Sequence, residues 1–177
     1  MSLKTKVSYT LRNSIGSKVN RKLIVFESDD WGSIRMPSVE AFARLNKEGL
    51  DLTAGDAERY NRTDTLASSK DLDSLFNVLL SVRDKNGRPA VFTAMSVVAN
   101  PDFDKIRASN FSEYFFEPFT DTLMRCEKSD AFGYWKKGME ERLFIPQFHG
   151  REHLNVAEWM RNLKNNERQT RKAFDEK

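Results

Sequence analysis

The sequence predicts an α/β fold in which parallel strands alternate with helices. Short runs without charge, too short for helices, recur at residues 23–26, 89–98 and 143–148. Between them lie segments whose apolar residues recur every three to four positions. The order strand, helix, strand, helix, strand, helix calls for parallel strands joined by crossovers.

Each element has its own signal. Leu23, Ile24, Val25 and Phe26 are apolar on both faces, which suits a buried parallel strand. The cluster Glu27, Ser28, Asp29, Asp30, Trp31, Gly32 marks the C-terminal end of that strand. Pro37 fits the first turn of a helix in which Val39, Phe42 and Leu45 share a face up to Gly49. Residues 49–68 are polar and turn-rich, as expected of a long loop that serves as a lid or binding loop. Ser68 or Ser69 caps a second helix, with Leu72, Leu75, Phe76, Leu79 and Leu80 at helical spacing and Asn86-Gly87 as its end. Residues 89–98 read as the second strand, broken at 99–102. The aromatic-rich segment 111–125 has no clear period. A further helix spans 130–142 with Phe132, Trp135 and Met139 inward. The third strand, 143–148, contains Pro146, which marks a bend or a strand end. Leu154, Ala157, Trp159, Met160 and Leu163 define a last helix, and the charged tail from Asn165 to Lys177 reads as more helix.

Composition bounds the function. The chain has 177 residues, 39% hydrophobic and 31% charged, enough to bury one core without staples. It divides into a basic N-terminal segment, 1–20, and a single α/β domain, 21–177. No apolar run is long enough for a membrane span. Residues 1–22 lack the apolar stretch of a secretory signal, so a cytoplasmic location is expected, with the location otherwise left open. Cys126 is the single cysteine. That excludes an internal disulfide framework and a cysteine-based zinc knuckle, and Cys126 reads as a small core residue. The net charge of +3 is mild. Lys4, Lys6, Arg12, Lys18, Arg21 and Lys22 crowd the N-terminus, but only Tyr9 interleaves with them. They read as a solvated segment, and no nucleic-acid partner is expected.

Functional groups of parallel α/β folds gather at the C-terminal ends of strands. Two polar constellations lie there. His149 and His153 are the only histidines. If a helix begins near His149, they share a face with Cβ atoms roughly 5–6 Å apart. Two imidazoles so placed can converge on one cation through Zn–N bonds of about 2.0–2.1 Å. Asp29 and Asp30 are adjacent, and side chains alternate along extended backbone. One can ligate while its neighbour stands beside an open coordination position. Two histidines and a carboxylate make a three-ligand catalytic site with room for water. The competing readings are two ordinary histidines at a helix start, and an Asx-turn or helix cap at the aspartates.

Residues 27–32, Glu-Ser-Asp-Asp-Trp-Gly, resemble the first motif of the polysaccharide deacetylases, the NodB-like carbohydrate esterases, usually written T-F-D-D-G. Residues 149–153, His-Gly-Arg-Glu-His, are similar to their second motif, H-S/T-x-x-H. The resemblance covers residues 21–165. It implies that Asp29 is the catalytic base and that Asp30, His149 and His153 ligate a divalent cation, with zinc the expected ion. It implies a partial or distorted (β/α) barrel of the glycoside hydrolase/deacetylase type. A complete barrel takes about 250 residues, so three strands correspond to its N-terminal part.

The implied reaction is hydrolysis of an acetamide or acetyl ester on an N- or O-acetylated carbohydrate, with Asp29 as base and a metal-activated water as nucleophile. Trp31 stands between the aspartates and Gly32, Gly150 replaces a hydroxyl residue, and Ser28 replaces an aromatic. The family's later motifs, an arginine partner for the base and a histidine acid, are not identifiable. Glu27, Glu152 and Tyr60 are fallback acids. A sheet of three strands has open edges and an inner face expected to be apolar, so homo-oligomerisation through those edges is expected. Two rivals remain. One is a non-catalytic α/β module binding carbohydrate or a partner protein through the aromatics between Phe111 and Phe119, which read more readily as core. The other is a glycosidase, which needs a second catalytic carboxylate.

Overall fold

The structure is a computed structural model that describes residues 2–16, 20, 22–55 and 57–176. Lys18 and Arg21 of the basic run and Lys177 of the tail lie outside the described residues. In chain order the elements are α1 (Leu3–Arg12), β1 (Phe26–Trp31), α2 (Val39–Lys47), α3 (Ala57–Thr63), α4 (Ser69–Ser81), β2 (Phe92–Val97), β3 (Ala99–Pro101), α5 (Phe103–Ala108), β4 (Phe116–Pro118), α6 (Phe119–Arg125), α7 (Ala131–Glu140), β5 (Phe144–Gly150), α8 (Val156–Lys164) and α9 (Arg168–Asp175).

The α/β expectation holds in its coarse form. Strands β1, β2 and β5 form a parallel sheet in the order β1-β2-β5, and β3 pairs antiparallel with β4. No barrel closes among the described residues, and β1 and β5 are sheet edges there. No helix among them is long and apolar enough to cross a membrane.

Local chemistry sets the helix that anchors the sheet. Ser68 accepts from Asp71 N–H, and the Asp71 carboxylate accepts from Ser68 N–H. This capping box satisfies two orphan donors, and the Ser68 bonds hold the Asp71 carboxyl below its ordinary pKa. The stripe Leu72, Phe76 and Leu79 of α4 then packs with Ala131 and Trp135 of α7 over Ala94 and Phe144 of the sheet. Trp31 closes this core. Its ring lies edge-on to Phe92 at 5.5 Å, Phe144 at 5.1 Å and Trp135 at 6.2 Å. A second cluster gathers Phe103, Ile106 and Phe111 against Leu163 and Phe174.

Several elements differ from the sequence expectation. The first strand starts at Phe26 and runs through the acidic cluster to Trp31. Leu23, Ile24 and Val25 precede it and are exposed, because the ladder to β2 begins at the Phe26–Phe92 pair and nothing among the described residues covers them. Pro37 precedes the N-cap Ser38 and so lies outside α2. The expected loop 49–68 contains α3. Helix α4 ends at Ser81, well before Asn86-Gly87, which instead turns the chain between Arg83 and its bridge partner Pro89. Asn100 and its neighbours do end β2, but they build the second sheet.

Met139 is 40% exposed, and Gly138 takes the buried position expected of it. Pro146 pairs within β5, where an edge strand tolerates the missing donor. Cys126 caps α6 and packs, half-buried, on the core, as expected. The sheet face opposite α4 and α7 carries Glu27, Thr93, Met95, Ile145 and Gln147 by register. It is mixed in polarity, not apolar.

Trp31→Ala is expected to cost about 3 kcal/mol, within the range for buried aromatic truncations. Urea unfolding measures it, and a loss below about 1 kcal/mol would show that Trp31 does not close the core.

Candidate metal centre

Two β-bulges build the site. Between Ser28 and Trp31, β1 advances three residues while β2 advances two, from Ala94 to Ser96. Between Phe148 and Gly150, β5 advances two while β2 advances one. Asp29 and Asp30 span the first irregularity, and His149 is the extra residue of the second. A bulge re-aims side chains at a strand end. Without the first one, Asp30 would pair with Ser96 on the core face. With it, Trp31 takes that register position and enters the core, while Asp30 is released to the strand end. Asp30 has φ 62°, a left-handed conformation that aspartate adopts more readily than most residues.

The three sequence-predicted ligands come together. Asp30 Oδ1 lies 3.6 Å from His149 Nε2, and Asp30 Oδ2 lies 3.1 Å from His153 Nδ1. One ligand atom from each of Asp30, His149 and His153 lies within 4.8 Å of the others. Tetrahedral zinc with bonds of about 2.1 Å spaces its ligand atoms about 3.4 Å apart, a spacing within the 4.8 Å that encloses one donor from each residue. Asp30 Oδ1 is buried and has no hydrogen-bond partner. A carboxylate oxygen stripped of water without a donor is costly, and a cation among these atoms would satisfy it. The residues therefore fit a divalent ion.

The histidines do not share a helix face as expected. His149 belongs to β5, and His153 lies in the connection before α8. That connection is clamped to the end of β2, where Val98 N–H donates to the carbonyls of Gly150 and Arg151 and Ala99 N–H donates to Arg151. Gly150 has φ 154°, which L side chains rarely adopt, so a hydroxyl residue here would be strained. Gly32 is equally constrained, because a Cβ there would stand 3.0 Å from Val97 O and 3.3 Å from the Phe119 ring.

Asp29 is exposed and lines the same cleft as Asp30, about 280 Å³ in volume, with Arg35, Tyr60 and Asp64. The bulge thus brings both aspartates to one cleft, against the alternation expected of extended backbone. Arg35 Nη2 is 3.4 Å from Asp30 Oδ2, Arg35 Nε is 3.4 Å from Asp64 Oδ2, and the guanidinium lies 5.2 Å from the Tyr60 ring centre. Burial pushes the Asp64 carboxyl above its ordinary pKa. Arg35 opposes this, and the charges of Asp30 and Asp29 add to it. Of the fallback acids, Tyr60 lines this cleft, Glu27 is exposed on β1, and Glu152 is paired with Arg151. Phe111 is buried in the core with Tyr114 and Phe115 packed, half-buried, against it, while Phe116 is exposed.

The buried Asn100 was read from sequence only as a strand breaker. Its amide Nδ2 donates to Gly32 O at 2.9 Å and makes a 3.1 Å bond to Thr122 Oγ1, while its Oδ1 accepts from Ile34 N–H at 3.0 Å. Thr122 in turn donates to Glu117, which also accepts from Arg125. This network pins the segment that carries Asp30 to β3 and α6. Arg35 and Asp64 were also missed, since the pairing of an arginine with an aspartate 29 positions on leaves no local pattern.

No protein-family model, curated protein or solved structure matches the chain.

Asn100→Leu removes three hydrogen bonds and orphans a buried carbonyl. It is expected to cost about 3 kcal/mol of stability and to weaken zinc binding roughly 10- to 100-fold, as loss of outer-shell partners does. Urea unfolding and chelator competition measure the two effects, and unchanged zinc affinity would detach Asn100 from the site.

Proposed function

We propose that the chain is a metal-dependent hydrolase of the polysaccharide deacetylase type, with its parallel sheet forming part of a (β/α) barrel. The observation that carries this reading is the buried, unpartnered Asp30 Oδ1 facing His149. Asp30, His149 and His153 would hold a divalent cation, zinc in the first instance. Bound there, such an ion supplies Lewis acidity to a substrate carbonyl and to water.

The residues of the chain do the rest. Asp29 stands beside the ligands in the open cleft and takes a proton from the attacking water as the new C–O bond forms. As the C–N bond of an N-acyl sugar breaks, protonated Asp29 is placed to return that proton to the leaving nitrogen. Arg35 holds Asp30 in its orientation, and Tyr60 and Asp64 wall the cleft against the β1 end. An O-acyl carbohydrate reacts through the same steps, with the C–O bond of the ester breaking.

Association through the sheet edges belongs to the same reading. Leu23, Ile24, Val25 and Phe26 are 59%, 80%, 71% and 51% exposed beside the unpaired edge of β1. Consecutive exposed apolar residues at an open edge favour pairing with a second copy.

Three measurements test these statements. A double His149→Ala, His153→Ala variant is expected to lose zinc, and acidification to release it from the wild type, because imidazole ligates only when deprotonated. Asp29→Asn is expected to keep zinc and lose at least about 100-fold in deacetylation of chitin oligomers; equal loss of metal in both variants overturns the division of roles. In sedimentation, the chain is expected to self-associate and Ile24→Lys with Phe26→Lys to abolish association, whereas a wild-type monomer at all concentrations overturns the edge contact.

A further inference from the structure

We propose that α1, with the basic residues around it, is a membrane-surface anchor that lies on anionic phospholipid. This goes beyond the hydrolase reading and does not rest on it.

Charge is segregated along the chain. Residues 1–26 hold Lys4, Lys6, Arg12, Lys18, Arg21 and Lys22 and no acidic residue. Those six cations exceed the net +3 of the whole chain, so residues 27–177 are net negative. An anionic surface therefore attracts this segment and repels the rest of the chain.

Helix α1 adds an apolar stripe. Leu3, Val7 and Leu11 follow at four-residue steps and so share one face. They are 79%, 51% and 63% exposed, and no residue of α1 is buried. At 3.6 residues per turn, Lys4 and Lys6 flank the stripe on either side. Helix α1 takes no part in the hydrophobic clusters of the described residues. A helix of 10 residues without tertiary packing is marginal in water. A partner that covers the stripe therefore also stabilises the helix.

The chemistry of the two faces selects the partner. A second copy of α1 would cover the stripe but set cations beside cations. Duplex nucleic acid would satisfy the cations and leave Leu3, Val7 and Leu11 in water. An anionic lipid surface answers both. The stripe enters the boundary between headgroups and acyl chains, and the lysine stems extend to the phosphates. Helix α1 is too short to cross a bilayer, so it lies in the plane of the interface.

The test is flotation of the full chain with vesicles of phosphatidylcholine, alone or mixed equally with phosphatidylserine. Binding is expected to the mixed vesicles only, and to weaken as salt is raised. Each cation near such a surface is worth about fivefold in affinity. Lys4→Gln, Lys6→Gln and Arg12→Gln together are thus expected to lower it about 100-fold. Leu3→Ser, Val7→Ser and Leu11→Ser together are expected to lower it at least about tenfold. Both variants are expected to unfold in urea like the wild type, because these side chains are exposed. A shifted midpoint would place α1 in the core and overturn the anchor. Failure of the wild type to float with mixed vesicles overturns it as well, and so does equal binding to both compositions. Binding that survives the serine variant, or tighter binding to duplex DNA than to mixed vesicles, overturns the lipid assignment.

Discussion

Among the described residues, β2 is the only strand of the parallel sheet with a neighbour on both sides, and both neighbours carry an extra residue relative to it near their C-terminal ends. That mismatch organises the molecule. A regular ladder would put Asp30 on the face that α4 and α7 cover, where a carboxylate has no partner. The bulge moves Trp31 to that face instead, and the tryptophan fills the space between Phe92, Phe144 and Trp135. Core packing and ligand placement are therefore one event. The same register change that buries the indole frees Asp30, so packing energy from the aromatic core holds a polar site in place.

The site stores strain and charge that the surrounding bonds offset. A non-glycine residue in the left-handed region costs of order 1 kcal/mol or more, and Asp30 sits there. Asp29, Asp30 and Asp64 line one cleft, and like charges raise one another's free energy. Arg35 bridges two of these carboxylates, and Asn100 fixes both Gly32 and Ile34 from below. Even so, Asp30 Oδ1 stays without a donor. A buried polar atom without a partner calls for an explanation, and the proposed cation would supply one.

The donor set was legible in the sequence because residue types carry it. Adjacent aspartates after an apolar run, and two histidines four apart after another, name a three-donor site whatever the backbone does. The mode of assembly was not legible. Bulges add a residue without altering composition, so alternation placed Asp29 and Asp30 apart and helical spacing placed His149 and His153 together on a helix. His149 in fact reaches the site from a bulge and His153 from the following connection. Trp31 looked like an insertion that disturbs the motif, yet its ring is what the register change buries. Arg35, Asp64 and Asn100 act across long separations, and a single sequence records each only as one polar residue among many. The run at Leu23 misled for a different reason. Apolar character predicts burial, but burial also needs a neighbouring surface, and none among the described residues supplies it.

The open edge and the polarity of the inner face bear on each other. A face of Glu27, Thr93, Met95, Ile145 and Gln147 is too polar to be closed by apolar packing alone. Whatever pairs with the edge of β1 must meet exposed Leu23 to Phe26 while leaving that face able to hold water. Barrels that do chemistry fill their interior with side chains and keep the C-terminal ends of the strands free for the reacting groups. The arrangement of Asp30, His149 and His153 at those ends obeys the same rule. The proposed edge pairing at the β1 start and the proposed metal binding at the strand ends are thus separable along the strand axis. In the proposed assembly, a second copy can cover the apolar edge without obstructing the cleft beside Asp29.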